Sequence, residues 1–147
     1  MSEHRAQLNW QRKAHPEDSS TFCRNHTLVL NGEQTINASS AAGFMGDAQC
    51  SDPEQMLVAA VSSCHMLTFL AIADIKGFKV ERYQDNAVGF LTKAERGKVV
   101  SRIELHPSIT FSGDKQPTEA ELDRLHDGAH KNCFIANSIK AEVEVIK

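Results

Sequence analysis

The chain has 147 residues, of which 41% are hydrophobic and 24% charged, and a formal net charge of −3. That balance suits one globular domain spanning residues 1–147 with a single core. It offers no basic footprint for nucleic acid, no uninterrupted run of ~18 apolar residues to span a membrane, and no apolar stretch behind a basic start to direct secretion. The expected setting is therefore the cytoplasm, with no nucleic-acid and no membrane partner. The four cysteines, Cys23, Cys50, Cys64 and Cys133, are too sparse for the disulfide framework of a small secreted domain. In a reducing compartment such thiols are packing residues, catalytic groups or metal ligands.

Gln7 to Gln11 alternates and reads as a first strand. A polar break at Pro16–Ser20 follows. Two short runs, His26–Leu30 and Gln34–Ile36, flank Asn31-Gly32, a pair that tolerates positive φ and so predicts a tight hairpin. Ala38–Cys50 is small and glycine-containing, hence a loop. Ser51 or Asp52 then caps a helix. Pro53 fits its first turn, Glu54 favours its positive end, and Gly77 stops it after Lys76. At 1.5 Å per residue this helix is about 36 Å long. It is apolar almost all round, through Met56, Leu57, Val61, Leu67, Phe69 and Leu70. One small sheet covers only one side of such a helix, so the other side calls for a second copy of the chain, a homodimer.

Val80–Thr92 and Val99–Phe111 read as two long strands turning near Glu95-Arg96-Gly97. Thr118 with Glu121 is a capping box that opens a second helix, with Leu122, Leu125 and Ala129 at helical spacing. Ile139–Ile146 alternates as a last half-exposed strand. The order of elements predicts an α+β domain.

Cys64 sits in Ser62-Ser63-Cys64-His65, four polar or polarisable residues inside an apolar helix. As a lone helical cysteine it can be a small core residue. The polar cluster around it points instead to a lined cavity, because buried polar groups need partners. His65 projects about 100° away from its neighbour and reads as a supporting or packing residue rather than a base. His126, His130 and Cys133 share one helix face. They are either a second thiol with imidazoles nearby or, with Cys64, a zinc site; the plain alternative is solvated helix histidines. Glu54 is a helix-start charge that, in a side-by-side dimer, approaches the Cys64 of the other chain. Arg24 carries a guanidinium able to lower a thiol pKa and to donate to a peroxide oxygen.

Asp52-Pro53-Glu54-Gln55-Met56-Leu57-Val58-Ala59-Ala60, followed by Ser63-Cys64, resembles the segment that opens the central helix of OsmC/Ohr proteins. Ala129 to Cys133, followed by Ile139-Lys140-Ala141-Glu142-Val143, resembles their second-cysteine segment and last strand. The resemblance implies an α+β fold in which antiparallel sheets wrap long central helices in an interlocked homodimer. It implies a peroxidase of organic hydroperoxides, with no cofactor and no metal. On it, Cys64 is the attacking thiol and Cys133 the resolving thiol. A dithiol, such as a protein-bound lipoyl group, is the reductant, and Glu54 orients an arginine. That arginine is Arg24, with Arg12 in reserve, since residues 38–55 contain none. His65 and Phe134 stand where the family carries an aromatic residue and a proline.

Overall fold

A computed structural model describes residues 1–146 of the chain. The chain divides into two compact units, Met1–Met56 and Leu57–Lys147.

The N-terminal unit holds a three-stranded antiparallel sheet of β1 (Gln7–Asn9), β2 (His26–Val29) and β3 (Thr35–Ala38), in that order. The β2–β3 hairpin turns where expected. Leu30 N–H donates to the Gln34 carbonyl at 3.0 Å, and Gly32 takes φ 61, a conformation that most side chains resist. After a 3-10 turn at Ala42–Phe44 the long helix α1 (Pro53–Ile75) begins. Its cap is reciprocal: Gln55 N–H donates to Asp52 Oδ1 at 2.7 Å, and Asp52 N–H donates to Gln55 Oε1 at 3.1 Å. At the far end Gly77 takes φ 77 and stops the helix.

The second unit contains the rest of α1, then β4 (Lys79–Asp85), β5 (Val88–Ala94), β6 (Gly97–Leu105), β7 (Pro107–Ser112), α2 (Glu119–Asn132) and β8 (Glu142–Val145). β4 pairs antiparallel with β7, and β5 with β6; β8 adds to β6 in parallel, reached through α2. The two long strands expected from sequence are therefore four. Asp85 marks the break. Its Oδ1 accepts from His106 N–H at 2.7 Å and its Oδ2 from the Ser62 hydroxyl, so the chain leaves both ladders at one level and starts new ones. α2 opens with the expected Thr118–Glu121 capping box.

α1 buries a single stripe, Val61, His65, Phe69 and Ala73, spaced four residues apart. Phe69 and Ala73 pack with Phe78, Leu125 and Ala129 beneath the β4–β7 sheet. Val61 packs with Ile103 and Leu105 beneath β5–β6–β8. β5 crosses α1 so closely that a Cβ at Gly89 would lie 2.5 Å from Val58 Cγ2. Among the described residues α1 is the one helix long and apolar enough to cross a membrane; here its buried stripe is spent on the core. The opposite stripe, Ala59, Ser63, Leu67, Ala71 and Ile75, is exposed in the single chain, with Leu67 at 60% and Ile75 at 85%.

Candidate active site

Cys64 sits half-buried in the middle of α1, and Cys133 is the fully buried C-cap of α2, with an extended backbone at φ −74, ψ 110. The fold brings the two together. Both are free thiols, and the Cys133 thiol donates a hydrogen bond to the Cys64 sulfur. The backbone N–H groups of Ile135 and Phe134 also donate to Cys64. The Thr68 hydroxyl, one turn further along α1, lies against both the Cys64 sulfur and, at 2.8 Å, the Cys64 carbonyl. Cys133 in turn accepts from Ala136 N–H at 3.4 Å.

These contacts divide one charge unequally. Burial pushes the Cys64 thiol up, but its hydrogen-bond donors outweigh burial and hold it below the ordinary thiol range. Burial also pushes Cys133 up, and its role as donor to Cys64 pushes it further. Of the two thiols, Cys64 therefore gives up its proton more readily than Cys133. Sequence reasoning found both sulfurs but missed the main-chain donors.

Arg24 and Glu54 belong to the N-terminal unit. The Arg24 guanidinium stacks 4.1 Å from the Phe22 ring centroid, donates to Thr21 Oγ1 at 3.3 Å and to the Phe22 carbonyl, and reaches Met45 Sδ at 3.7 Å. It lies between a polar cavity of about 370 Å³ bounded by His15, Cys23 and Asp47 and an apolar groove of about 500 Å³ bounded by Leu8, Trp10 and Phe22. Glu54, in the first turn of α1, makes no ion pair with it among the described residues. Arg12 is exposed. The Cys50 thiol donates a hydrogen bond to Asp47, and burial followed by that acidic neighbour holds the thiol up.

His65 and His126 form a buried pair joining α1 to α2. His65 Nε2 and His126 Nδ1 are 3.1 Å apart, the rings stack at 14°, and Phe69 lies 4.7 Å from His126. Burial, followed by the neighbouring His126 and His130 and opposed by Asp85, pushes His65 down to about 4. His130, one turn on, is exposed and borders a cavity of about 190 Å³ with Asp123, His126 and Asp127. Among the described residues no three His, Cys, Asp or Glu side chains converge on a metal position, so the zinc arrangement of Cys64, His126, His130 and Cys133 is not formed.

Residues 46–146 match the family model for OsmC-like proteins. The chain belongs to the OsmC-like family. The match covers α1, α2 and both thiols of the pair. Over 99% of both chains the protein is 41% identical to an OsmC-like protein of unknown function from Vibrio cholerae, and the two structures superpose with a TM-score of 0.91. An organic hydroperoxide resistance protein OsmC from Legionella pneumophila shares the fold at 18% identity and a TM-score of 0.74, covering 100% of this chain and 98% of that one. The uncharacterised YmaD of Bacillus subtilis is 24% identical over 124 residues, 83% of each chain. The OsmC-like α+β fold expected from the sequence is the one observed.

Proposed function

We propose that this OsmC-like protein is a thiol peroxidase that reduces organic hydroperoxides, with Cys64 attacking and Cys133 resolving. The observation that carries this reading is the hydrogen-bonded thiol pair, in which the donors around Cys64 lower its thiol and burial with the bond to Cys64 raises that of Cys133. The Cys64 thiolate attacks a peroxide oxygen, the O–O bond breaks, and a proton from water completes the alcohol that leaves. Cys64 is now a sulfenic acid. The Cys133 thiol attacks that sulfur, a disulfide forms, and water departs. An external dithiol, such as a lipoyl group, returns both cysteines to thiols and is itself oxidised to a disulfide. A neighbouring thiol that closes the intermediate protects Cys64 from further oxidation.

The organic hydroperoxide resistance protein of Legionella pneumophila supports this choice of substrate. Arg24 serves as the cation that receives the peroxide, and Glu54 orients it. The whole chain acts as one domain in a cytoplasmic homodimer joined along the exposed stripe of α1. One equivalent of cumene hydroperoxide is expected to give an intramolecular Cys64–Cys133 disulfide by peptide mass spectrometry, reversible by dihydrolipoamide. Cys64 left unoxidised at stoichiometric peroxide overturns the reading. A Cys64–Cys50 link instead moves the resolving role to Cys50.

A further inference from the structure

The chain carries one histidine beside Cys64 and another two helical turns before Cys133, and the fold closes the two on each other. His65 lies on the buried stripe of α1, and His126 is buried on α2. His65 Nε2 and His126 Nδ1 stand 3.1 Å apart, one ring donating and the other accepting across the contact between the helices. Around them the contact is apolar. Phe69 and Ala73 meet Leu125 and Ala129, and a Cβ at Gly128 would lie 3.1 Å from Ile72 Cδ1. Apolar contact is non-directional, so it holds two helices together without fixing how far one slides or turns on the other. A hydrogen bond buried in such a contact does fix it, because a slip leaves polar atoms unpaired away from water.

The thiols lie between this contact and a second one. On α1, Cys64 falls between Val61 and His65. Beyond His126 the chain runs seven residues, two turns along one face, to Cys133, and two more to Ile135. Ile135 packs against the cluster of Val61, Ile103 and Leu105. We propose that His65 and His126 are positioning residues for the thiol pair: their hydrogen bond sets the register of α2 on α1 and so holds Cys133 opposite Cys64. This inference rests on the peroxidase reading only for the use made of the disulfide, because closure of the disulfide is measured without peroxide.

The test separates the two things an imidazole supplies. His65→Phe keeps a buried ring and loses the hydrogen bond. His65→Gln loses the ring and keeps a hydrogen-bonding group at the position of Nε2. Each reduced protein is equilibrated with mixtures of oxidised and reduced dithiothreitol and quenched with iodoacetamide, and the Cys64–Cys133 disulfide is quantified on its peptides by mass spectrometry. On closure the two thiols give two electrons and two protons to the cyclic disulfide of oxidised dithiothreitol, which becomes the dithiol. His65→Phe is expected to lower the equilibrium constant for closure about tenfold, while His65→Gln stays within about threefold of wild type. Where His65→Phe does not fold, the double variant His65→Leu, His126→Leu removes both partners, leaves neither ring unpaired, and is expected to show the same loss. A folded Phe or double-Leu variant that closes like wild type overturns the proposal. So does a Gln variant that loses as much as the Phe variant, since ring volume would then set the thiols, and so does a wild type whose two thiols do not close.

Discussion

Acid sensitivity follows from the imidazole pair that joins the two helices. His65 is 1% exposed, with His126, His130 and Asp85 near enough to act on it. Its neutral ring is held by the contact with His126, but among the described residues its Nδ1 has no hydrogen-bond partner to accept from an added proton. An unfolded histidine takes its proton near 6.5, whereas His65 takes it only near 4. Between those values the unfolded chain binds a proton that the folded chain refuses, so stability falls as pH falls through this window. At pH 4.5 the linkage amounts to about 2 kcal/mol relative to pH 7. The perturbation is His65→Phe, which fills a similar volume and cannot titrate. Urea unfolding of both proteins at pH 7 and pH 4.5, at one fixed protein concentration, isolates the histidine from the carboxylates that titrate in both. Wild type is expected to lose about 2 kcal/mol more than His65→Phe between the two pH values, read as a larger fall in the urea midpoint. Equal losses in the two proteins would refute the reasoning and return His65 to ordinary packing.

Cys133→Ser is expected to consume about one equivalent of hydroperoxide per site and then stall as the sulfenic acid, drifting to sulfinic acid; sustained turnover with dithiol would dismiss Cys133 as the resolving thiol. Gly89→Ala sets a methyl group 2.5 Å from Val58 Cγ2, where β5 crosses α1, and is expected to cost about 1–3 kcal/mol in chemical denaturation. An unchanged denaturation midpoint would show that β5 and α1 have room to separate. Leu67→Glu alters a side chain that is 60% exposed in the single chain, a change worth under about 0.5 kcal/mol to an isolated protomer. Light scattering is expected to find wild type dimeric and Leu67→Glu monomeric; a wild type that is monomeric at micromolar concentration would remove the homodimer.

The helices were legible because their signals are local. Asp52 and Gln55 cap α1, Thr118 and Glu121 cap α2, and Gly77 terminates α1, all within a few residues of the element concerned. The hairpin at Gly32 is equally local. The division of two expected strands into four was not legible. It depends on Asp85 meeting Ser62 and His106, more than twenty residues away on either side, and neither the alternation nor the turn residues of 80–111 record that. At the site, the cysteines announced themselves by residue type and by the polar cluster around Cys64. The donors to Cys64 did not, because every residue but proline carries an N–H and only the tertiary fold aims it. His65 and His126 are 61 residues apart, and nothing in either neighbourhood indicates that one ring will stack on the other.

The position of the thiol pair along the chain has a consequence for biosynthesis. Cys64 leaves the ribosome before Cys133, which ends α2, and β8 must still join β6 to complete the sheet packed against Ile135. Throughout that interval Cys64 has neither the N–H groups of residues 134–135 nor the proton of Cys133 to favour its ionisation. A nascent or truncated chain therefore carries Cys64 without its hydrogen-bonding partners, on a helix that is not yet covered. The surroundings that lower the Cys64 thiol arrive together with Cys133.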